Sequence, residues 1–340
     1  MNAEENPAPP ARPPAAPASL GFESDARVAD FPTRNAEMQR CVEMARAATR
    51  TTACVLIIGE AGVGKKTLAQ AIHNDSPRAA GPCLEISCIG QTADSFEREL
   101  FGQAASADAL GSERGRKGRL ALAREGTLLI TGIQELSLAM QGHILRLLET
   151  GCYSPIDSTG RIRADVRIIA IASSDPREAI AGGTFRSDLL LRLGEITLRI
   201  PPLRERREDL NDLIDYALRE GRLRFGRRAH SISRIARDYL LRYAWPGNLR
   251  ELKSFMTRAL TMSEDEQLWL EDFGMRVEFP TEFDAQGNME PVLSLEAMER
   301  RHIQVVLDYT RGNKKRAALL LQVSRPTLDR KIQIYNLRIP

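Results

Sequence analysis

No apolar run in this sequence approaches the roughly 20 residues needed to span a bilayer, and the N-terminus lacks the apolar core of a signal peptide. Cysteine is sparse and unpaired in pattern. Cys41, Cys54, Cys83, Cys88 and Cys152 make an odd count without any CxxC pair, and the four histidines do not cluster beside them, which leaves neither a disulfide framework nor a zinc site. The chain is expected to be cytoplasmic, with its cysteines reduced and no membrane partner. It also lacks a strong charge of one sign: the net charge of +3 argues for no particular partner. The distribution is more telling, since Ala297 to Pro340 holds ten Lys/Arg against three Asp/Glu, a net of +7 that leaves about −4 for the rest. A basic tail module on a mildly acidic body points to nucleic acid at the C-terminal end.

With 43% hydrophobic residues, 340 residues suffice for roughly two or three domains with real cores. Residues 1–27 are Pro/Ala-rich with almost nothing large to bury, and read as a disordered leader. This leader is too short for a phosphorylatable receiver or a ligand-sensing domain, so control is expected to come through a partner, expression level or nucleotide state. From residue 28 to 200, ACVLIIG, PCLEIS, GTLLIT and DVRIIAIAS alternate with helical patterns such as TLAQAIH and MQGHILRLLE. Strands alternating with helices predict an α/β domain with a parallel sheet. After Pro201 and Pro202 the strand signals stop and residues 201–262 read as a small helical subdomain. Residues 263–292 carry no sustained periodicity and read as a linker, and residues 293–340 form a short, basic, all-α module.

GEAGVGKK, Gly59 to Lys66, lies directly after the strand VLII and before the helix TLAQAIH. Gly59, Gly62 and Gly64 permit a tight turn whose N–H groups converge on phosphate oxygens; Lys65 adds a point charge and the helix N-terminus its dipole. The loop from Gly59 through Glu60, Ala61, Gly62, Val63, Gly64, Lys65 and Lys66 to Thr67 is therefore a candidate nucleotide site. Lys66 stands where many such loops place the Ser/Thr that helps hold Mg²⁺.

These features, together with SFERELFGQ, DVRIIA, TFRSDLLLRL, IPPLRERREDL and WPGNLREL in that order, resemble the AAA+ module of bacterial sigma-54-dependent enhancer-binding transcriptional regulators. The resemblance implies a P-loop sheet with a helical lid, ATP or ADP as ligand, and a ring in which Arg186 and Arg192 act as arginine fingers on a neighbour's nucleotide. It places Arg250 as a lid residue reaching the same nucleotide. It also exposes departures. The strand EGTLLI should end in an Asp that holds Mg²⁺, directly or through water, and a Glu that polarises the attacking water; Thr131 and Gly132 stand there instead. Ser173 occupies the position where an Asn usually reads the γ-phosphate. The surface loop reads QAASADALGSERGRKGR, so that Ala109 and Leu110 replace the Phe and Thr that contact sigma-54. Losing a general base or a metal ligand removes factors of hundreds or more from a rate, so hydrolysis is expected to be very slow and Mg²⁺ weakly held or absent.

In Leu293 to Leu337, three helical stretches place Ile303, Val306 and Leu307 on one face, Ala317, Ala318 and Leu321 on another, and Leu328 and Ile332 on a third. Gln322-Val323-Ser324 forms a turn, with Ser324 suited to cap the last helix. This helix-turn-helix resembles the Fis-like domain that ends the same regulator family, which implies binding of double-stranded DNA, an inverted-repeat operator if the first helix dimerises, and Arg325, Thr327, Asp329, Arg330 and Lys331 at the major groove or flanking phosphates, with Lys314, Lys315 and Arg316 near the backbone. Two functions follow as expectations. One is a DNA-binding regulator whose nucleotide module oligomerises but hydrolyses poorly, acting with ordinary promoter machinery, as a repressor, or in a mixed ring with an active homologue. The alternative is an active sigma-54-dependent activator ATPase; a scaffold that no longer binds nucleotide is a third possibility.

Overall fold

The computed structural model describes residues 25–104, 116–226, 229–263, 265–274, 281–283, 289–291, 295–310 and 312–339. The substituted surface-loop positions Ala109 and Leu110 and most of the leader lie outside them. The chain divides into two compact units, residues 1–274 and 275–340.

In the first unit, α1 (Ala36–Thr49) precedes β1 (Val55–Ile58), the phosphate loop and α2 (Lys65–Asn74). There follow β2 (Cys83–Ser87), α3 (Ala93–Phe101), β3 (Thr127–Thr131), α4 (Leu138–Thr150), β4 (Arg167–Ala172), α5 (Ser187–Leu193) and β5 (Ile196–Arg199). The five strands form one sheet in the order β2-β3-β4-β1-β5, every pairing parallel. Parallel strands covered on both faces must be apolar throughout, and every residue of β1, β3 and β4 is buried. Because side chains alternate, each strand feeds two cores. Leu56, Ile58, Leu128, Ile130, Ile168 and Ala170 face the cluster that includes Phe96, Ile144 and Leu189, while Val55, Ile57, Leu129, Ile169 and Ile171 face the one with Val42, Leu68 and Ile72. This order brings the carboxyl ends of β1, β3 and β4 to one edge, where ligands of such sheets bind.

The lid consists of α6 (Leu210–Phe225), α7 (Arg234–Arg242) and α8 (Asn248–Met262). Trp245, 1% exposed, anchors it: the indole stacks edge-on against Tyr243 and Phe255, and its Nε1 donates to the Leu240 carbonyl at 2.9 Å. The irregular stretch begins later than its composition suggests. Gln267–Leu268 pairs in parallel with Ser231–Ile232, and Leu268 and Phe273 are buried, so residues up to 274 pack with the lid because their scattered apolar side chains find a lid strand unreadable from local periodicity. At the other end, Ala26 is already buried and Arg27 bonds the Asn74 carbonyl, so described structure starts slightly before residue 28.

The second unit contains a short antiparallel pair, Thr281–Phe283 with Met289–Pro291, and then α9 (Leu295–Tyr309), α10 (Lys314–Leu320) and α11 (Arg325–Ile334). Ile303, Leu307, Ala317, Ala318, Leu328 and Ile332 form its core. Ser324 caps α11 by accepting from the Thr327 N–H at 3.2 Å, the role its hydroxyl suggested. Among the described residues no helix is long and apolar enough to cross a membrane.

Candidate functional site

The phosphate loop closes β1 onto α2 through two left-handed residues, Gly62 (φ +82°) and Gly64 (φ +102°). At Gly62 no side chain could be accommodated, because a Cβ there would lie 2.2 Å from the Gly247 carbonyl oxygen of the lid. Lys65 folds back over the loop, its Nζ donating to the carbonyls of Gly59 at 2.5 Å and Glu60 at 2.7 Å. Burial and the field of Arg250 lower its pKa to about 8 against the opposing pull of Glu60.

A clamp that sequence reading missed joins loop and lid. Arg204 holds the Glu60 carboxylate with both guanidinium nitrogens, at 2.8 and 2.6 Å, and Asn248 donates to Glu60 Oε2 at 3.1 Å and the Ala61 carbonyl at 3.0 Å. Asn248, fully buried, also accepts the Leu203 N–H at 2.8 Å. These hydrogen bonds hold the Glu60 carboxyl down at about 2, so it stays ionised throughout the physiological range.

Between loop, strand tips and lid lies a cavity of about 420 Å³. Residues 61–67, Arg250 and Ser173 all line it, as do Thr131 and Gly132. Its apolar end is formed by Phe31, Pro32, Met38 and Leu213, which the sequence did not single out. The Phe31–Pro32 segment is held down by Asp209, whose carboxylate accepts from Thr33 Oγ1 and the Arg34 N–H at 2.7 Å each. An apolar end beside a phosphate-ready loop suits a planar base with a charged tail.

The tip of β3 is neutral and its backbone unusual. Thr131 Oγ1 donates to Glu85 Oε1 at 3.2 Å, and Gly132 is left-handed (φ +72°) with its N–H bound to the Ile171 carbonyl at 2.9 Å. Ser173 is engaged by Gln134, whose Nε2 lies 2.6 Å from Ser173 Oγ. Glu85, a charged residue inside PCLEIS, was the signal overlooked: its carboxylate reaches the cavity and forms an ion pair with Lys66 at 2.5 Å. Arg186 and Arg192 are exposed and do not line this cavity; Arg186 rests on Asp188 with bonds of 3.0 and 2.7 Å.

In the second unit Arg325 and Arg330 of α11 and Lys315 and Arg316 of α10 are exposed. Three other residues expected at DNA are partly exposed and ion-paired between helices. Lys331, adjacent to buried Ile332, reaches Glu299 of α9 at 2.5 Å, where Tyr335 also donates; Lys314 and Asp329 pair with each other at 2.9 Å across α10 and α11. Thr327 is held by Ser324, hydroxyl to hydroxyl at 2.7 Å. These ion pairs join side chains on different helices, which a helical wheel cannot show because it sees no counter-charge on another helix.

Comparison with known proteins agrees with this architecture. Residues 31–199 match the sigma-54 interaction domain, 204–288 the AAA+ ATPase lid domain and 294–335 the bacterial regulatory protein Fis family. The chain is 36% identical over 308 residues to the regulatory protein AtoC of Escherichia coli K12, covering 89% of this chain and 66% of that one. It is 38% identical over 300 residues to the alginate biosynthesis transcriptional regulatory protein AlgB of Pseudomonas syringae pv. tomato, covering 88% and 66%. The chain thus spans just under two thirds of these relatives' length. The crystal structure of NtrX from Brucella abortus in complex with ATP superposes with a TM-score of 0.65 at 26% identity, covering 93% of this chain and 71% of that one. With a P-loop sheet, lid and helix-turn-helix in this order, the chain belongs to the family of sigma-54-dependent enhancer-binding transcriptional regulators.

Proposed function

We propose that this chain is a sequence-specific DNA-binding transcriptional regulator whose AAA+ module binds ATP or ADP and oligomerises, but hydrolyses ATP too slowly to remodel sigma-54 polymerase by itself. The observation that carries this reading is the tip of β3: Thr131 and a left-handed Gly132 face a cavity that keeps Lys65 and Arg250. The parts that bind phosphate persist, and those that would hold a metal and activate water do not. NtrX, crystallised with ATP and with ADP, supports nucleotide as the ligand. Exposed Arg186 and Arg192 suit a nucleotide held by a neighbouring subunit, in a homo-oligomer from dimer to ring or a mixed ring with an active homologue. ATP turnover of the purified protein alone, with its size in ADP and in ATP, tests the proposal; turnover at rates typical of active AAA+ proteins sinks it.

A second reading, an active sigma-54-dependent activator, is favoured by Glu85, an acid in the same cavity whose Oε1 lies 3.2 Å from Thr131 Oγ1. Open complexes on a sigma-54 promoter formed only with hydrolysable ATP would decide for it.

At the helix-turn-helix, Arg325, Arg330, Lys315 and Arg316 are the side chains we assign to double-stranded DNA. Arg330→Ala is expected to weaken operator binding by roughly five- to a hundredfold, and Arg316→Ala to lower the slope of affinity against salt by about one. Lys331→Ala, which leaves Glu299 with Tyr335 but without its ion pair, is expected to lower the melting temperature of the protein with a smaller loss of DNA affinity than Arg330→Ala. Band-shift titrations at several salt concentrations, with melting curves alongside, check this; a larger affinity loss for Lys331→Ala returns Lys331 to the DNA face.

A further inference from the structure

The cavity beside the phosphate loop holds a fixed cation where this fold would hold a metal. A P-loop magnesium is held by an acid at the tip of the neighbouring strand and, in many such loops, by a hydroxyl after the invariant lysine, a position that often carries a charged residue in the family this chain resembles. In this chain the first position is the hydroxyl of Thr131 and the second the ammonium of Lys66. Lys66 Nζ lies 2.5 Å from Glu85 Oε2, while Glu85 Oε1 accepts from Thr131 Oγ1 at 3.2 Å, and all three residues line the cavity shared by Lys65 and Arg250. A hard divalent cation needs several oxygen donors, and an ammonium already paired with the available carboxylate competes with it for that donor. Of the two carboxylates that line the cavity, Glu85 accepts from Thr131 at the strand tip and is paired with Lys66, and Asp209 is held by Thr33 and Arg34. This donor set does not fit Mg²⁺.

We infer that the Lys66 ammonium, docked on Glu85, takes the place of Mg²⁺, so that the site binds the phosphate chain of a nucleotide in its metal-free form. This rests on the reading that the loop binds nucleotide. A lysine at the second position of α2 sits at the positive end of that helix, beside the loop N–H groups that face phosphate. Its ammonium has three donors on a flexible four-carbon stem, so it can keep its bond to Glu85 and also reach a phosphate oxygen. Glu85 then acts as a positioning residue: it keeps the ammonium at the cavity wall, and Thr131 fixes the carboxylate in turn. The ammonium at Lys66 and the loss of acid at Thr131 thereby become one change, since a second carboxylate would draw the ammonium away from the nucleotide, and a metal would be repelled by it.

The test is binding of a fluorescent ADP to the full chain, with millimolar Mg²⁺ and with excess EDTA. The native protein is expected to show dissociation constants within about threefold of each other. Lys66→Ala is expected to weaken binding in EDTA by about tenfold or more, the scale of a lost charge-assisted hydrogen bond, and to recover part of it when Mg²⁺ is added, because Glu85 is then released to a metal. Lys66→Met keeps the apolar stem and gives the same readout if the alanine variant folds poorly. Native binding that collapses about thirtyfold or more in EDTA overturns the inference, as does a Lys66→Met variant with native affinity in EDTA. Absence of ADP binding in both conditions overturns instead the reading of the loop as a nucleotide site.

Discussion

Lys65→Ala is expected to raise the dissociation constant for ADP by at least about a hundredfold, and raising the pH from 7 to 9 is expected to weaken ADP binding to the native protein by about tenfold. The first figure follows from what Lys65 does with its proton donors. In the structure they are turned onto the Gly59 and Glu60 carbonyls, at 2.5 and 2.7 Å, inside the turn that would surround the phosphates. Swinging the ammonium onto phosphate exchanges neutral acceptors for charged ones, and each hydrogen bond to a charged group is worth about 1.5–3 kcal/mol. Two such bonds give a hundredfold or more. The second figure follows from the proton itself. Burial, first, and Arg250, second, lower the Lys65 pKa to about 8 in the nucleotide-free protein, whereas a bound phosphate chain favours the charged form and raises it. Binding therefore takes up a proton above pH 8, and by linkage affinity is full below pH 8 and falls about tenfold per unit above it. Glu60, held ionised at about 2, contributes no titration of its own in that window. Calorimetric titrations with ADP at pH 7, 8 and 9 check the slope, and Lys65→Ala should flatten it. A native profile that stays flat to pH 9 would place the lysine outside the phosphate site.

How much of this was legible in the sequence depends on the distance over which each feature is specified. β1, β3 and β4 announce themselves as VLII, TLLIT and RIIAIA because a central parallel strand is covered on both faces and admits nothing polar. The phosphate loop is equally local: glycines at fixed spacing, then lysine, between a strand and a helix. The C-terminal helices are read from their apolar faces, and Ser324 from its position before α11. What escaped reading is specified by partners far apart in the chain. Arg204 and Asn248 reach Glu60 across 144 and 188 residues, and Glu85 meets Thr131 across 46. Lys331 belongs by periodicity to the basic face of α11, and its ion pair with Glu299, 32 residues earlier, is set by another helix. Gly132 shows the same limit in another form. Its sequence reading records only a missing charge, while its φ of +72° is a backbone fact that no residue count reveals.

Simple restoration of the missing acids, Thr131→Asp with Gly132→Glu, is therefore expected to fail, and to lower stability rather than raise turnover. At Gly132 the N–H is fixed to the Ile171 carbonyl and the carbonyl accepts the Glu135 N–H, both at 2.9 Å, so the left-handed conformation is held from both sides. A residue with a Cβ costs about 1–2 kcal/mol there. That Cβ would also lie 2.5 Å from Ile89 Cγ1, although Ile89 is 63% exposed and can yield. At a few degrees of melting temperature per kcal/mol, the double variant should melt about 2–8 °C lower than the native protein. Adding Ile89→Ala removes the contact, and Lys66→Ser replaces the ammonium with a metal-compatible hydroxyl. This four-site variant is expected to turn over ATP, in Mg²⁺, at least about a hundredfold faster than the native protein, the lower end of what a positioned general base contributes. Arg192→Ala in the same background should then return turnover to about the native level, since a finger acts only where there is a transition state to stabilise. Steady-state turnover in Mg²⁺ measures both steps. A four-site variant that folds, binds ATP and still does not hydrolyse it would move the block to Ser173, whose hydroxyl is held by Gln134 at 2.6 Å rather than offered to a γ-phosphate.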